Sequence, residues 1–493
     1  MTHRAVGATT DYENDRGKVR QNARAAANEA DLFWRAEARV RMWSGTHERH
    51  NAMSPPPLGG EHEKEFLEIA ASLVGGTKER PMDVVHRCCA GLDVHKDTVT
   101  ACVAWAESTG KKRHEKPQFA TTTRELLALA DWMRGCGVTH VAMESTGVYW
   151  QPVWHVLDGQ FELLLVNAQH VKAIPGKKTD RRDSVWLAEL LQHGLLRSSF
   201  VPPTPIRELR DLTRYRVTLC QECNRIANRI QKVLEDANVK LASVASDPLG
   251  ASGRAMLKAL IAGEADPAKL ADMARGLLRR KLPALQAALD GRVTPHHRFL
   301  LGELLDHLEF VEGKILRLET TIEERLRPFE DTVRRLCTIP GVDRVSAWGI
   351  ISEIGLNMDQ FPDARHLASW AGLCPGNWES AGKRTSGRIR KGSAWLRRHL
   401  CQCAWAVSTK RHTYLSALFR RLAARRGVKR ASIAVAHAIL TIAYRIIRDG
   451  STYRDLGPDY FDTLDPARLK RKLVKRLEGL GFQVTLAAQP LPA

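Results

Sequence analysis

Residues 87–200 alternate between hydrophobic patterns typical of strands and patterns typical of helices. A buried strand is predicted at 88–94, and 98–105 follows after a short turn, as the second strand of a hairpin does. The same patterns predict, in chain order, a strand at 118–122, a helix at 124–134, a strand at 140–144, a helix at 148–157, a strand at 162–167 and a helix that carries Asp180 and Asp183. Hairpin-like strands followed by alternating helices and strands predict an α/β region, with a mixed sheet covered by helices.

Two acidic residues belong to the predicted strands. Asp93 lies within the first strand, and Glu144 ends a later one. A carboxylate in an otherwise apolar strand is costly unless it is paired or binds a metal ion. The alternative for each residue is a strand-end acid that reaches solvent.

Two further acids, Asp180 and Asp183, lie three residues apart where the helical pattern of 185–191 starts. Residues at i and i+3 share a helix face, so these carboxylates point the same way. Like charges this close repel unless a cation lies between them, and paired carboxylates with substrate phosphates suit Mg²⁺. The alternative is a pair of N-terminal acids favoured by the helix macrodipole.

Charge predicts a polyanionic partner. The 493 residues include 75 Lys or Arg and 55 Asp or Glu, so the formal net charge is +20, and nucleic acid is the first candidate.

No apolar run approaches the roughly 18–20 residues that span a bilayer, and no signal pattern opens the chain, so we expect no membrane partner. The ten cysteines show no disulfide framework, which predicts reduced thiols in a cytosolic protein; Cys220 and Cys223 form one CxxC within a helical pattern.

The rest of the chain is predicted to be mainly helical. Long periodicity at 205–240 and 299–326 indicates a coiled-coil arm or a helical hairpin, and prolines divide 247–295 into short helices. The predicted domains are a poorly ordered polar arm at 1–82, an α/β domain at 83–202, a helical spacer at 203–330, a mainly helical basic C-terminal domain at 331–460 and a basic tail at 461–493.

The C-terminal domain contains a long segment with many basic residues and no acidic ones. Between Ser380 and Arg430 there are 15 Lys or Arg and no Asp or Glu, whereas a solvated helix face normally mixes charges, so this run predicts a polyanion-binding surface. Glycines at 382, 387 and 392 allow a flexible, close-approaching loop between the cations. Trp378 and Trp395 could stack on bases, but packing is expected. The candidate nucleic-acid contacts are Lys383, Arg384, Arg388, Arg390, Lys391, Arg397 and Arg398.

A Pro-Gly turn within 336–346 precedes a helix predicted at 346–354. Such a turn can present backbone N–H groups to DNA phosphates, as in a helix-hairpin-helix element, which makes Gly341 a further candidate contact. An ordinary connection between two helices is the alternative.

In combination these segments resemble the DEDD transposases, which are recombinases of insertion sequences related to site-specific DNA invertases. The resemblance runs from about 87 to 458 and rests on GLDVHK (91–96), MESTG (143–147), KTDRRD (178–183), IPGV (339–342), ESAG (379–382) and Gly392 with Leu396 and Arg397. It implies an RNase H-like domain of the RuvC type, a coiled-coil spacer and a C-terminal transposase domain. It also implies a catalytic, Mg²⁺-binding tetrad formed by Asp93, Glu144, Asp180 and Asp183.

The resemblance further implies a serine nucleophile, and Ser380 occupies the matching place. Family members usually have Ser-Gly where this chain has Ser380-Ala381-Gly382, so Ser386 and Ser393 are the other candidates. The implied protein cuts and rejoins double-stranded donor and target DNA through a covalent phosphoserine, as a dimer or tetramer in the bacterial cytoplasm at the nucleoid. Some members are guided by a non-coding RNA, so a guide RNA is a further expected partner.

Two other functions stay open. A metal-dependent RuvC-like nuclease or junction resolvase would use the acids alone and leave free DNA ends. A non-catalytic nucleic-acid binder would use the acids only structurally. About 200 residues separate the tetrad from Ser380, so a recombinase must bring them together by folding or across a subunit interface, to which a coiled-coil spacer could contribute.

Overall fold

The computed structural model describes residues 84–106, 112–145, 147–168, 171, 183–376, 378–380 and 383–487. These residues form two compact units, which divide between Val201 and Pro202. The polar arm predicted at 1–82 lies outside the described residues, and so does Asp180.

The first unit is a mixed sheet with helices packed against it. Its elements are β1 (Cys88–Val94), β2 (Thr98–Ala106), β3 (Lys112–Glu115), β4 (Gln118–Ala120), α1 (Thr123–Gly135), β5 (His140–Glu144), α2 (Trp150–Leu157), β6 (Glu162–Val166) and α3 (Asp183–Gln192). The predicted elements are confirmed to within a few residues at their ends, and for the last helix this holds for the part from Asp183 onward, which the structure describes. β3 was not predicted, because its residues, KRHE, lack the apolar alternation that marks a strand.

The strand order of the sheet is β3–β2–β1–β5–β6, with β4 also paired to β2. β1 and β2 are antiparallel, as are β2 and β3, whereas β1, β5 and β6 run parallel. The mixed sheet predicted from the order of hairpins and crossovers is therefore confirmed.

Each face of this sheet packs against a different set of helices. Leu92 and its alternate neighbours in β1 belong to a core shared with α1 and α2. On the other face Cys89 packs against α3, and Gly91 lies closest to that helix. A β-carbon at Gly91 would lie 2.2 Å from the Ser184 carbonyl oxygen and 2.5 Å from the Ala188 amide nitrogen, so α3 can reach this strand only because residue 91 has no side chain.

The second unit is mainly helical. Its helices are α4 (Thr204–Asp236), α5 (Leu241–Val244), α6 (Ala251–Ala262), α7 (Pro267–Asp272), α8 (Leu282–Leu289), α9 (Pro295–Leu326), α10 (Glu330–Cys337), α11 (Arg344–Ile354), α12 (Ala364–Trp370), α13 (Ala394–Thr409), α14 (Tyr414–Arg426), α15 (Val428–Asp449), α16 (Tyr460–Thr463) and α17 (Pro466–Glu478). Two 3-10 helices, Gly276–Lys281 and Arg327–Phe329, connect helices in the spacer, and the strands β7 (Trp378–Ser380) and β8 (Lys383–Ser386) form a small hairpin.

The two long predicted helices are confirmed as α4 and α9. They pack against each other, which is the helical-hairpin arrangement of the two that the sequence allows. The short helices between them close one end of the pair around a core that includes Ile226, Ile230 and Leu308.

Helix α15 corrects one expectation. By length and composition it is apolar enough to cross a membrane, whereas the sequence was expected to hold no such run. Its buried residues, among them Val435, Ile439 and Leu440, pack with α12, α13 and α14. It is the central helix of the C-terminal part of this unit.

The Pro-Gly turn connects α10 to α11. Asp343 caps α11 by accepting a hydrogen bond from the Ser346 amide at 2.8 Å. Gly341 has a φ of +87°, and a β-carbon there would lie 2.6 Å from both the Cys403 carbonyl oxygen and Val407 Cγ2. Glycine is therefore required because the turn packs on α13, and contact between Gly341 and DNA stays a prediction.

Candidate active site

Asp93 and Glu144 occupy equivalent positions on neighbouring strands. The parallel pairing of β1 with β5 ends at Leu92 and Met143, and each acid is the next residue. Two residues earlier, Gly91 and Ala142 face α3. Because side chains alternate along a strand, both carboxylates lie on that face, at the carboxyl ends of their strands.

Asp183 is the first residue of α3 and reaches the same end of the sheet. α3 runs antiparallel to β1, since the Cys89 thiol donates to the Ala188 carbonyl at 3.4 Å while Gly91 lies against Ser184. Because the two elements run in opposite directions, the N-terminal end of α3 approaches the C-terminal end of β1. The side chains of Asp93, Glu144 and Asp183 are all half-buried.

His95 is a site residue that the sequence analysis missed. Its Nε2 lies 3.3 Å from Oδ2 of Asp93, whose side chain is 22% exposed. Residues 93 and 95 share a side of the extended chain, so the alternation in GLDVHK could have identified it. The His95 imidazole therefore lies at the same end of the sheet as the acids.

The donor chemistry of these acids fits a hard divalent cation. Mg²⁺ takes oxygen ligands and is often held by only one or two carboxylates, with water and substrate phosphate completing the shell. Asp93, Glu144 and Asp183 provide such oxygens at one end of the sheet, although no three His, Cys, Asp or Glu side chains among the described residues are close enough to hold one ion. Asp180, the fourth predicted ligand, lies outside those residues.

The segment 373–392 is here called the serine loop, and within it β7 and β8 form a hairpin. Ser380 ends β7 and is paired with Lys383, the first residue of β8, whereas Ser386 is paired with Trp378. Nearer the base, the Gly376 amide donates to the Arg388 carbonyl at 2.8 Å. The backbone register thus places Ser380 at the distal end of the hairpin and Ser386 one strand length closer to the base.

The base of the serine loop is held by two glycines. A β-carbon at Gly392 would lie 2.4 Å from the backbone of both Ala371 and Gly372, and Gly372 has a φ of +69°. The sequence predicted that Gly392 allows a flexible, close-approaching loop between the cations. The structure shows the close approach, because the absent side chain of Gly392 lets two backbone segments meet.

Ser393, the third candidate nucleophile, has two structural hydrogen bonds. Its hydroxyl accepts from the Leu396 amide at 3.2 Å as the N-cap of α13 and donates to Glu353 Oε2 at 2.9 Å. The nearby Trp395 packs as expected, with the Arg214 guanidinium 5.6 Å from its ring centroid.

The candidate nucleic-acid contacts differ in exposure. Arg388, Arg390 and Lys391 are exposed on the serine loop, whereas Arg397 and Arg398 are half-buried on α13. Arg398 donates to the side-chain oxygen of Gln221 on α4 at 2.8 Å when the Gln221 amide is oriented with its oxygen toward the guanidinium. The side chains of Lys383 and Arg384 lie outside the described part of the structure.

Comparison with known proteins identifies two matching family models. A model of DEDD transposases of the IS110 type, described as "Transposase", matches residues 90–239. A second, described as "Transposase IS116/IS110/IS902 family", matches residues 333–420. The first match includes the strands and helix that carry the acids, and the second includes the serine loop.

Curated relatives agree with these matches. The transposase for insertion sequence element IS1111A of Coxiella burnetii is 23% identical over 377 residues, which cover 74% of this chain and 90% of the relative. A probable family 20 transposase of Pseudomonas aeruginosa is 25% identical over 358 residues, which cover 70% and 94% of the two chains. The chain belongs to the DEDD-type transposases of insertion sequences.

Proposed function

We propose that this protein cuts and rejoins DNA strands of an insertion sequence, with Asp93, Glu144, Asp180 and Asp183 as a Mg²⁺-binding tetrad and Ser380 as the nucleophile. One observation carries the proposal: two carboxylates end adjacent parallel strands, and a third begins the helix packed on the same face. The strand order supports an RNase H-like domain of the RuvC type, in which an antiparallel meander precedes parallel strands.

In the proposed reaction the Ser380 hydroxyl attacks the phosphorus of a DNA phosphodiester. A bond forms between Oγ and phosphorus, the bond from phosphorus to one sugar oxygen breaks, and the proton lost by the serine balances the proton gained by that oxygen. A sugar hydroxyl of the recipient strand then displaces the serine in the reverse sense, which rejoins the DNA. When bound, Mg²⁺ would neutralise charge on the phosphate that is being displaced. Cations of the loop, such as Lys383, Arg384 and Arg388, would act in the same direction.

Double-stranded DNA is the proposed partner, and a guide RNA and further copies of the chain are proposed with it. The net charge of +20 supports polyanionic partners, and the exposed Arg388, Arg390 and Lys391 provide phosphate contacts on the loop itself. A DNA substrate of this kind places the protein in the bacterial cytoplasm at the nucleoid.

Substitution of the acids tests the proposal. We expect Asp93→Asn and Glu144→Gln to lower strand cleavage by at least about 100-fold while DNA affinity stays the same, because the carboxylates act on the transition state rather than on binding. The matched control is Asp97→Asn, an exposed acid in the turn after β1. Cleavage of junction DNA would be measured across a Mg²⁺ titration, and full cleavage by Asp93→Asn would refute the role of the tetrad.

A further inference from the structure

A buried carboxylate lies beside the exit of the serine loop. Glu353, in the last turn of α11, is 2% exposed. Arg214 of α4 donates from Nε to Oε1 at 2.7 Å and from Nη2 to Oε2 at 2.9 Å, so the pair is bidentate. A carboxylate buried to this degree would be strongly destabilising without such a partner.

A second arginine of α4 holds the same turn of α11. Arg210, one helical turn before Arg214, donates from Nε to the Ser352 carbonyl at 3.0 Å and from Nη2 to the Glu353 carbonyl at 2.7 Å. The last carbonyls of a helix lack partners within the helix, so a buried cation there satisfies them. α4 is thus fixed to the end of α11 through both backbone and side chain.

Glu353 also binds the first residue after the serine loop. Its Oε2 accepts from the Ser393 hydroxyl, and Arg214 lies against Trp395 two residues later. Since Gly392 packs directly on Gly372, the two ends of the loop meet beside this carboxylate. The buried Glu353 carboxylate of α11 therefore contacts both α4, through Arg214, and the base of the loop, through Ser393.

We propose that Glu353 is a positioning residue for the serine loop: it ties Ser393 to Arg214 and so fixes the hairpin that carries Ser380 to the long helix α4. The third hydrogen bond, from Ser393, extends this ion pair from the contact between α4 and α11 to the first residue after the loop. The inference rests on the proposed function only in taking Ser380 as the nucleophile.

Hydrogen exchange in the full-length protein tests the anchoring without reference to activity. We expect Glu353→Gln to speed exchange of the Gly376 and Leu396 amides by about tenfold, because the charged acceptor that holds Ser393 is lost. The matched control, Glu319→Gln, breaks the Arg216–Glu319 contact of 2.6 Å between α4 and α9, which does not involve the loop. Unchanged exchange at both amides in Glu353→Gln would overturn the proposal.

A second pair of variants covers the case in which Glu353→Gln does not fold. Ser393→Ala leaves the Glu353–Arg214 pair in place but removes the link to the loop, so the Gly376 amide should exchange faster. The Leu396 amide loses its own acceptor in this variant and is therefore not the readout. Ser393→Thr keeps a hydroxyl that can cap and donate, so exchange should return toward the wild-type rate. Equal exchange in these two variants would contradict the proposal.

The rate of chemistry separates positioning from stability. In single-turnover reactions at saturating DNA we expect Glu353→Gln to slow formation of the serine–DNA adduct by about 10- to 100-fold with unchanged DNA affinity, and Glu319→Gln to leave the rate unchanged. An equal loss in both variants would mean that Glu353 contributes only stability. If the wild-type protein forms no adduct, the proposed function fails, while the exchange experiment still decides the anchoring.

Discussion

Burial determines the protonation state of the His399 side chain. The imidazole on α13 is 6% exposed, and its ring lies against Gly349, where a β-carbon would come within 2.5 Å of it. Burial lowers the pKa of His399 to about 4, although the Glu353 carboxylate acts in the opposite direction. The ring is therefore neutral at neutral pH and adds no further charge to the buried Arg214–Glu353 pair.

The depressed pKa of His399 predicts acid lability. The unfolded chain takes up this proton near pH 6.5 and the folded protein only near pH 4, so the stabilisation is complete above pH 6.5 and is lost as pH falls through 4. The expected loss is about 3 kcal/mol, from about 1.4 kcal/mol per pH unit. Urea unfolding between pH 7 and 4 would measure it. His399→Gln should flatten the curve over this range, and parallel curves for the two proteins would contradict the assignment.

At the scale of elements, the contact between β1 and α3 brings the acids to one end of the sheet. Gly91 lets α3 approach the strand, and without that approach Asp183 would stand away from Asp93. The same principle recurs where Gly341 packs on α13 and where Gly392 packs on Gly372. In each case a missing side chain allows close packing of backbones.

Gly91→Ala should therefore destabilise the first unit. The new methyl group would overlap backbone atoms of Ser184 and Ala188, which cannot rotate away as a flexible side chain can, so a loss of at least about 1–3 kcal/mol is expected. Hydrogen exchange of the β1 amides would measure this loss. Gly135→Ala is the control, since no atom lies within 4 Å of its added carbon, and it should be neutral or stabilising. Wild-type stability in Gly91→Ala would contradict the packing described.

The sequence predicted those elements whose pattern is local. Apolar periodicity identifies β1, β5, α4 and α9, because such runs must be buried. The edge strand β3 was missed because its residues are polar and show no apolar periodicity. The requirement for glycine at position 91 could not be predicted, since it arises from contact with residues more than 90 positions away.

The candidate site was predicted to a similar extent. Asp93 and Glu144 stand out as acids in apolar strands, whereas the exposed His95 could be found only through its alternation with Asp93 in GLDVHK. Glu353 is also a lone acid in an apolar run, but its partners Arg214 and Ser393 are separated from it by 139 and 40 positions, so only the fold reveals them.

At the scale of the whole molecule, the excess of positive charge should dominate binding to DNA. Much of the affinity then comes from release of counterions, so it falls steeply with salt. Several of the cations, such as Arg210 and Arg214, are used internally, and the net charge therefore overstates the surface that is free for phosphates.

Removal of two exposed loop cations tests which surface meets the DNA. Arg390→Ala with Lys391→Ala should reduce the slope of log affinity against log salt concentration by about 1.8, which is 0.9 per phosphate contact. Fluorescence anisotropy from 50 to 300 mM salt would measure the slope. Lys258→Ala with Lys269→Ala removes the same charge from exposed positions on the spacer and should leave the slope unchanged. Equal slopes for both double variants would contradict the assignment of the loop as a DNA-binding surface.

The most direct test is the covalent bond between protein and DNA. The purified protein would be incubated with Mg²⁺, DNA that carries the element's own junction and co-expressed flanking RNA, and then denatured and digested. We predict a nucleotide attached to Ser380, which Ser380→Ala abolishes with DNA binding intact and Ser386→Ala preserves. An undiminished adduct in Ser380→Ala would place the nucleophile elsewhere, and cleaved ends free of protein would identify a hydrolytic nuclease instead.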